Sequence, residues 1–282
     1  MGEEARHADV AGGGAPPGAL GVLGGMGPAA TADFLRRLAE VTPAQRDQDH
    51  IPLIVYADPT TPDRSDAVEH GGEDPLPKLL AGIRFLDATG VGAIAIPCNS
   101  AHLWYEQMQA ATSVPIIHIA DAVIQGLEAS LPGVSAVALL GTEGTLRSRL
   151  YQDRLEAAGY ATVAPSGREE LDQLMAGIRA VKAGDVDGGR GLLSELAMRL
   201  LRRGGQAVVV ACTDISVAFA SDDDVESQPL IDANAELARV SSRLRTEDWA
   251  QRQGPRRDST AADGGGPVRR EVTEPWSSDV GR

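Results

Sequence analysis

Ala207-Val208-Val209-Val210-Ala211-Cys212-Thr213-Asp214-Ile215 is a β-branched run that halts at a cysteine and passes at once to small polar residues. The same event occurs earlier, in Val91-Gly92-Ala93-Ile94-Ala95-Ile96-Pro97-Cys98-Asn99-Ser100-Ala101-His102. A run of this kind followed by helical periodicity is a strand feeding a helix. In an open α/β sheet the carboxyl ends of the strands are where ligands bind. Cys98 and Cys212 are the only cysteines in the chain. A thiol at a helix N-terminus has its pKa lowered, so both are expected to be partly thiolate near neutral pH. One buried cysteine at a strand end is usually packing; two in matched positions suggest a working pair. A disulfide is disfavoured in a chain that reads as cytoplasmic. Metal binding is disfavoured because neither cysteine has a second Cys or a His at ligand spacing.

Working outward, apolar runs and helical patterns alternate, and the order occurs twice. The first pass has a strand and turn at 21–24, a helix from Ala30, a strand at 52–57, a helix at 77–88 and the strand that delivers Cys98. Asn99 is expected to cap the helix that follows it, and 115–119 reads as another short strand. The second pass has a strand at 135–140, a Gly-Thr turn at Gly141-Thr142-Glu143-Gly144-Thr145, and a strand near 160–164. A long helix at 192–203, the strand that delivers Cys212 and a short strand at 229–232 complete it. From Gly24 to Cys98 is 74 residues, and from Gly141 to Cys212 is 71. Matched spacing of matched elements predicts two similar Rossmann-like (flavodoxin-like) α/β domains with parallel sheets, related by a pseudo-twofold, with the active site in the cleft between them. The expected division is 19–121 plus the C-terminal part of 229–245 for the first domain and 122–228 for the second. Residues 1–18 and 246–282 lack periodicity and are expected to be disordered.

The formal charge is −14, and the two end segments take only −2 and −1 of it. An acidic body argues against nucleic acid and anionic membranes as partners. No apolar stretch reaches the length of a membrane span, and none marks the first residues as a targeting segment. Gly25-Met26-Gly27-Pro28-Ala29-Ala30 loosely fits a dinucleotide fingerprint, but no acidic residue stands at a strand end about twenty positions on, so a nicotinamide site is not expected. The five histidines show no metal spacing, and His102 and His118 read as structural.

Racemising a carbon α to a carboxylate requires a proton to leave one face and return to the other. Two opposed thiols suit that task, because cysteine changes protonation state close to working pH. The carbanion must be stabilised by hydrogen bonds or cations at the carboxylate. Cations stand out because the chain has two lysines, Lys78 and Lys182, against 24 arginines. Lys182 lies just before a glycine that ends a helix, which on position alone reads as surface. Arg64 follows the second strand in Pro62-Asp63-Arg64-Ser65, on the loop leaving the edge that presents Cys98.

Gly21-Val22-Leu23-Gly24-Gly25-Met26-Gly27-Pro28, Pro62-Asp63-Arg64-Ser65, Pro97-Cys98-Asn99-Ser100-Ala101-His102, the Gly141 turn and Ala211-Cys212-Thr213-Asp214 together resemble the aspartate/glutamate racemase superfamily, most closely its aspartate racemase branch. The resemblance spans about residues 19 to 245. It implies racemisation without pyridoxal phosphate, metal, nicotinamide or other cofactor, on a small-molecule amino acid, by a homodimer. By the same resemblance, Cys98 and Cys212 match the opposed acid/base pair. Asn99, Ser100 and Thr213 match the substrate-bonding positions beside them, and Thr142 and Thr145 match the second Gly-Thr turn. Met26 sits in the matching first turn, while Arg64 and Lys182 match the positions that pair with substrate carboxylate.

Two positions depart from the family pattern. Ser100 stands where Thr is usual and keeps the hydroxyl. Asp214 stands where Glu is usual and is one methylene shorter; it either holds the substrate ammonium or caps its helix. Relatives that isomerise maleate, racemise hydantoins or decarboxylate malonate often keep one of the two cysteines, so the pair favours a racemase. The reading from another class is a non-catalytic dicarboxylate-binding or regulatory protein.

Overall fold

The computed structural model describes residues 14–16, 18–219 and 229–243. Apart from residues 14–16 and 18, the end segments expected to be disordered lie outside the described residues.

The first unit starts with β1 (Leu20–Gly24), α1 (Pro28–Val41), β2 (Leu53–Ala57), α2 (Arg64–Glu69), α3 (Leu76–Thr89) and β3 (Ala93–Ala95). A 3₁₀ turn (Ser100–Trp104), α4 (Tyr105–Ala110) and α5 (Ile119–Ser130) follow. The second unit runs through β4 (Ala136–Gly141), α6 (Glu143–Arg147), α7 (Gln152–Ala157), β5 (Ala161–Val163), α8 (Gly167–Lys182), α9 (Val186–Arg202) and β6 (Ala207–Ala211). It ends with α10 (Thr213–Phe219), β7 (Leu230–Asp232) and α11 (Ala233–Arg243).

Both sheets are parallel, in the orders β2-β1-β3 and β5-β4-β6-β7. The segment expected as a strand at 115–119 forms a single parallel bridge, Ile94 to Ile116, on the β3 edge. It occupies the place that β7 takes in the second sheet, so the two orders correspond strand for strand. Pro115 supplies no N–H, which keeps the pairing short. Pro28 opens α1, where its missing donor costs nothing.

The described part of 229–245 divides between the two units. β7 pairs with β6 because Ile231 and its neighbours fill that sheet's open edge, whereas α11 lies against α1 of the first unit and against α5. As a result Leu20, Val22, Phe34, Leu38, Val123, Leu127, Leu139, Val209, Leu237 and Ala238 belong to one apolar core running through both units. The opposite face of the first sheet packs Leu23, Ile94 and Ile96 on Leu79, Ile83 and Leu86 of α3. This division follows the two-residue alternation of a strand.

The turn after β1 needs glycine at Gly25. Its φ is +93°, and a Cβ there would lie 2.5 Å from the Asp58 backbone nitrogen. Its N–H donates to Thr31 Oγ1 at 2.9 Å, which draws the turn over the start of α1.

Beneath the Cys98 turn, His102 and His118 meet edge-on with ring centroids 5.0 Å apart. His102 Nδ1 lies 2.9 Å from the Cys98 carbonyl, and His118 caps α5 by accepting from the Ala120 N–H. Arg154 lies over the Tyr105 ring and pairs with Asp121 at 2.8 Å. Burial lowers the His102 pKa to about 4. Burial, and then the charges of His102 and Arg154, lower His118 to about 2. Both rings are therefore structural and neutral in the folded chain. In the unfolded chain they take up protons near pH 6.5, so their stabilising contribution is complete above that pH and is lost as pH falls. The unfolding midpoint is expected to drop steadily from pH 7 to 5, each histidine contributing up to about 1.4 kcal/mol per pH unit. His118→Asn, which keeps a capping acceptor, should flatten that slope in thermal melts; an unchanged slope would contradict the account.

Candidate active site

The carboxyl edges of the two sheets face one cavity of about 320 Å³. All eleven residues singled out from the sequence line it: Met26, Arg64, Cys98, Asn99, Ser100, Thr142, Thr145, Lys182, Cys212, Thr213 and Asp214. Two sheets built the same way each bring a strand end and the following turn to a common space. Cys98 and Cys212 are both free and buried, one on each unit.

The two thiols have different surroundings. Cys98 Sγ lies 3.7 Å from the Ser100 hydroxyl. Cys212 Sγ donates to Asp214 Oδ2 at 3.7 Å, and the same oxygen lies 3.7 Å from Lys182 Nζ. Burial first, and then the Asp214 charge, push the Cys212 thiol up to about 12. The N–H groups of Asp214 and Ile215 and the Lys182 charge pull the other way without offsetting this. The expectation of a lowered pKa at both cysteines therefore fails at Cys212. Its helix terminus does supply N–H groups, but a dry site with a carboxylate beside the sulfur outweighs them.

Asp214 is not the cap of α10, because the helix already starts at Thr213 and the Asp214 carboxylate points to Cys212 and Lys182. Asn99 is not a cap either; its side chain makes no cap hydrogen bond, and its Oδ1 accepts from the Tyr151 hydroxyl. A 3₁₀ turn, not an α-helix, directly follows it. Thr142 does cap α6, accepting from the Thr145 N–H at 3.2 Å. Its hydroxyl also lies 2.9 Å from that of Thr145.

Arg64 is the first residue of α2, a short helix capped by Asp63, which accepts from the Ser65 and Asp66 N–H groups. The guanidinium donates to the carbonyls of Pro62 at 2.9 Å, Met26 at 3.2 Å and Thr61 at 3.3 Å. These bonds fasten it to both the β1 and β2 turns. Its Nε is buried without a partner, an open donor whose burial is costly unless something accepts from it. At the far end of α2, Glu69 accepts from the Gly144 N–H at 2.7 Å, so α2 reaches across the cleft to α6. Lys182 ends α8 with its side chain 57% exposed. It is thus both a surface lysine by position and a cavity residue by reach.

The sequence reading missed Asp33, Asp63, Ser65 and Val217 on the cavity wall and Tyr151 behind it. Asp33 is committed to structure. Burial pushes its carboxyl up, but hydrogen bonds from Arg36, Arg37 and Asn234 outweigh that and hold it below the usual range. Asp63 and Ser65 flank Arg64 and could have been found from it; Tyr151 and Val217 carry no local pattern. Among the described residues no cluster of His, Cys, Asp or Glu is arranged to hold a metal, and no helix is long and apolar enough to cross a membrane.

Comparison with known proteins agrees with this architecture. Residues 23–240 match the Asp/Glu/Hydantoin racemase family. The broad specificity amino-acid racemase RacX of Bacillus subtilis (strain 168) is 31% identical over 227 residues, spanning 78% of this chain and 95% of the relative. The structure of a Picrophilus torridus aspartate racemase is similar with a TM-score of 0.69 and 31% identity, over 79% of this chain and 93% of that one. A Francisella tularensis glutamate racemase, solved with D-glutamate, shares the fold with a TM-score of 0.56 at 16% identity, over 79% of each chain. The match runs through both parallel-sheet units and the cleft they enclose, and the chain belongs to the Asp/Glu/hydantoin racemase family.

Proposed function

We propose that the chain is a cofactor-independent racemase that interconverts L- and D-aspartate, or a related small acidic amino acid, with Cys98 and Cys212 as opposed acid and base. The observation that carries this reading is the placement of two free thiols on the two walls of one cavity, each at the end of a strand from a different sheet. In each turnover one thiolate takes the Cα proton, and the bonding pair moves into the carboxylate. The opposite thiol then delivers its own proton to the other face. The S–H bond lost on one side equals the one gained on the other, and the enzyme ends with the two protonation states exchanged.

The unequal surroundings of the two sulfurs support unequal roles. Cys212, buried and beside Asp214, is the thiol that donates in one half-reaction, with Cys98 as the opposed base. Arg64 and Lys182, which line the cavity from different units, meet the substrate carboxylates. Asp214 receives the α-ammonium, which competes with Lys182 for the same oxygen. Asn99, Ser100, Thr142, Thr145 and Thr213 supply donors where charge builds on the carboxylate. Selection of an acidic substrate by an acidic protein rests on these local cations.

Cys98→Ala and Cys212→Ala should each abolish racemisation, followed by chiral chromatography, while melting temperatures stay near the parent's. Near-normal turnover by either variant would rule out the two-base scheme. Arg64→Ala is expected to lower kcat/KM for aspartate about tenfold to a hundredfold, the worth of a charge-assisted hydrogen bond. A parent that prefers neutral amino acids would contradict the dicarboxylate assignment. Asp214→Asn removes a charge that raises the Cys212 pKa, so Cys212 ionises at lower pH. The alkaline limb of the pH–kcat/KM profile, in the direction that needs Cys212 as donor, should move down in pH; no movement would separate Asp214 from Cys212.

A further inference from the structure

Tyr151 is the largest fully buried side chain among the described residues, and the two-thiol scheme gives it no task. It stands just before α7 in the second unit, yet its hydroxyl donates to Asn99 Oδ1 in the first. Burial raises its pKa well above the usual tyrosine value, and the Asp232 charge acts in the same direction. The hydroxyl therefore stays protonated and always has a hydrogen to give. Asn99 is the one acceptor it has among the described residues. Rotating the Asn99 amide by half a turn would leave the tyrosine proton buried without an acceptor, which is costly. The tyrosine thus selects one of two amide orientations that are otherwise nearly equal in shape.

The selected orientation has a chemical consequence. Asn99 lines the cavity and is 6% exposed, and among the described residues no protein acceptor takes its Nδ2 hydrogens. With Oδ1 turned back to Tyr151, the NH₂ end is left for the cavity. With the amide reversed, a carbonyl lone pair would face any bound anion. We propose that Tyr151 is a positioning residue that locks the Asn99 side chain across the two units, so that its Nδ2 donates to an anionic oxygen of the substrate. This rests on the racemase reading above for the identity of that oxygen, a carboxylate that gains charge as the Cα proton leaves. Donors aimed at such an oxygen in advance stabilise the transition state more than the ground state. Because the hydroxyl and the amide come from different units, the lock exists only when those units are docked.

The test is a double-mutant cycle on the full chain, using parent, Tyr151→Phe, Asn99→Ala and the double variant. Two readouts are taken: racemisation of L-aspartate, and calorimetric binding of succinate, a dicarboxylate with no ammonium group. Tyr151→Phe keeps the ring that fills the core. It should lower kcat about tenfold to a hundredfold, change KM less, and weaken succinate binding. In the Asn99→Ala background the same substitution should cost little more, since the group it positions is gone. Equal losses in both backgrounds would overturn the proposal and make Tyr151 a packing residue. A parent that binds succinate with the coupled pattern but does not racemise would contradict the racemase assignment and support the lock. The Asn99 side-chain ¹⁵N amide signals of the parent should also shift on adding succinate. Unmoved signals would overturn the proposal even if Tyr151→Phe did not fold.

Discussion

The two sheets are held in register by a core that neither owns. α11 follows the last strand of the second sheet but lies on α1 of the first, and it also packs on α5. Phe34, Leu38, Val123, Leu127, Leu237 and Ala238 are all buried in that shared core. Sliding one unit against the other would expose such side chains at about 1.5–3 kcal/mol each. This fixes where the carboxyl edges stand, and hence the one cavity that both strand-end thiols line. α2 adds a lighter tie across the cleft mouth, from the Arg64 guanidinium on the β1 turn to Glu69 on the Gly144 N–H.

Within that frame the pseudo-twofold is respected by the backbone and broken by the side chains. Each half ends a central strand in cysteine, but Ser100 stands beside one sulfur and Asp214 beside the other. One carboxylate is enough to give the two sulfurs different surroundings on walls of matching backbone. Lys182, on a partly exposed side chain, tempers the Asp214 charge.

Much of this was legible in the chain. β-Branched runs ended by Cys gave β3 and β6 and the placement of both thiols, because a buried parallel strand needs a continuous apolar run and its end needs a change of residue type. The near-equal spacing of turn and cysteine gave the repeat, which the strand orders bear out. What failed did so for reasons of tertiary contact. The break within 229–243 is set in the same way: a strand takes its place by edge pairing and its following helix by packing, and here the two point to different units. The lowered pKa expected at Cys212 used a local rule, the helix terminus, that burial and Asp214 override. Asn99 had the residue type of a cap, but Tyr151, 52 positions away, claims its carbonyl oxygen. No periodicity or spacing encodes that partner.

The central claim, proton exchange by two opposed thiols, is tested most directly by following hydrogen at Cα. L-Aspartate is incubated with the protein in deuterated water, and substrate and product are analysed by mass spectrometry early in the reaction. Two bases that do not share their protons predict D-aspartate carrying one deuterium at Cα while the recovered L-aspartate keeps its protium. Deuterium entering recovered L-aspartate as fast as D-aspartate forms would point to a single base serving both faces. No exchange at all would contradict proton removal at that carbon.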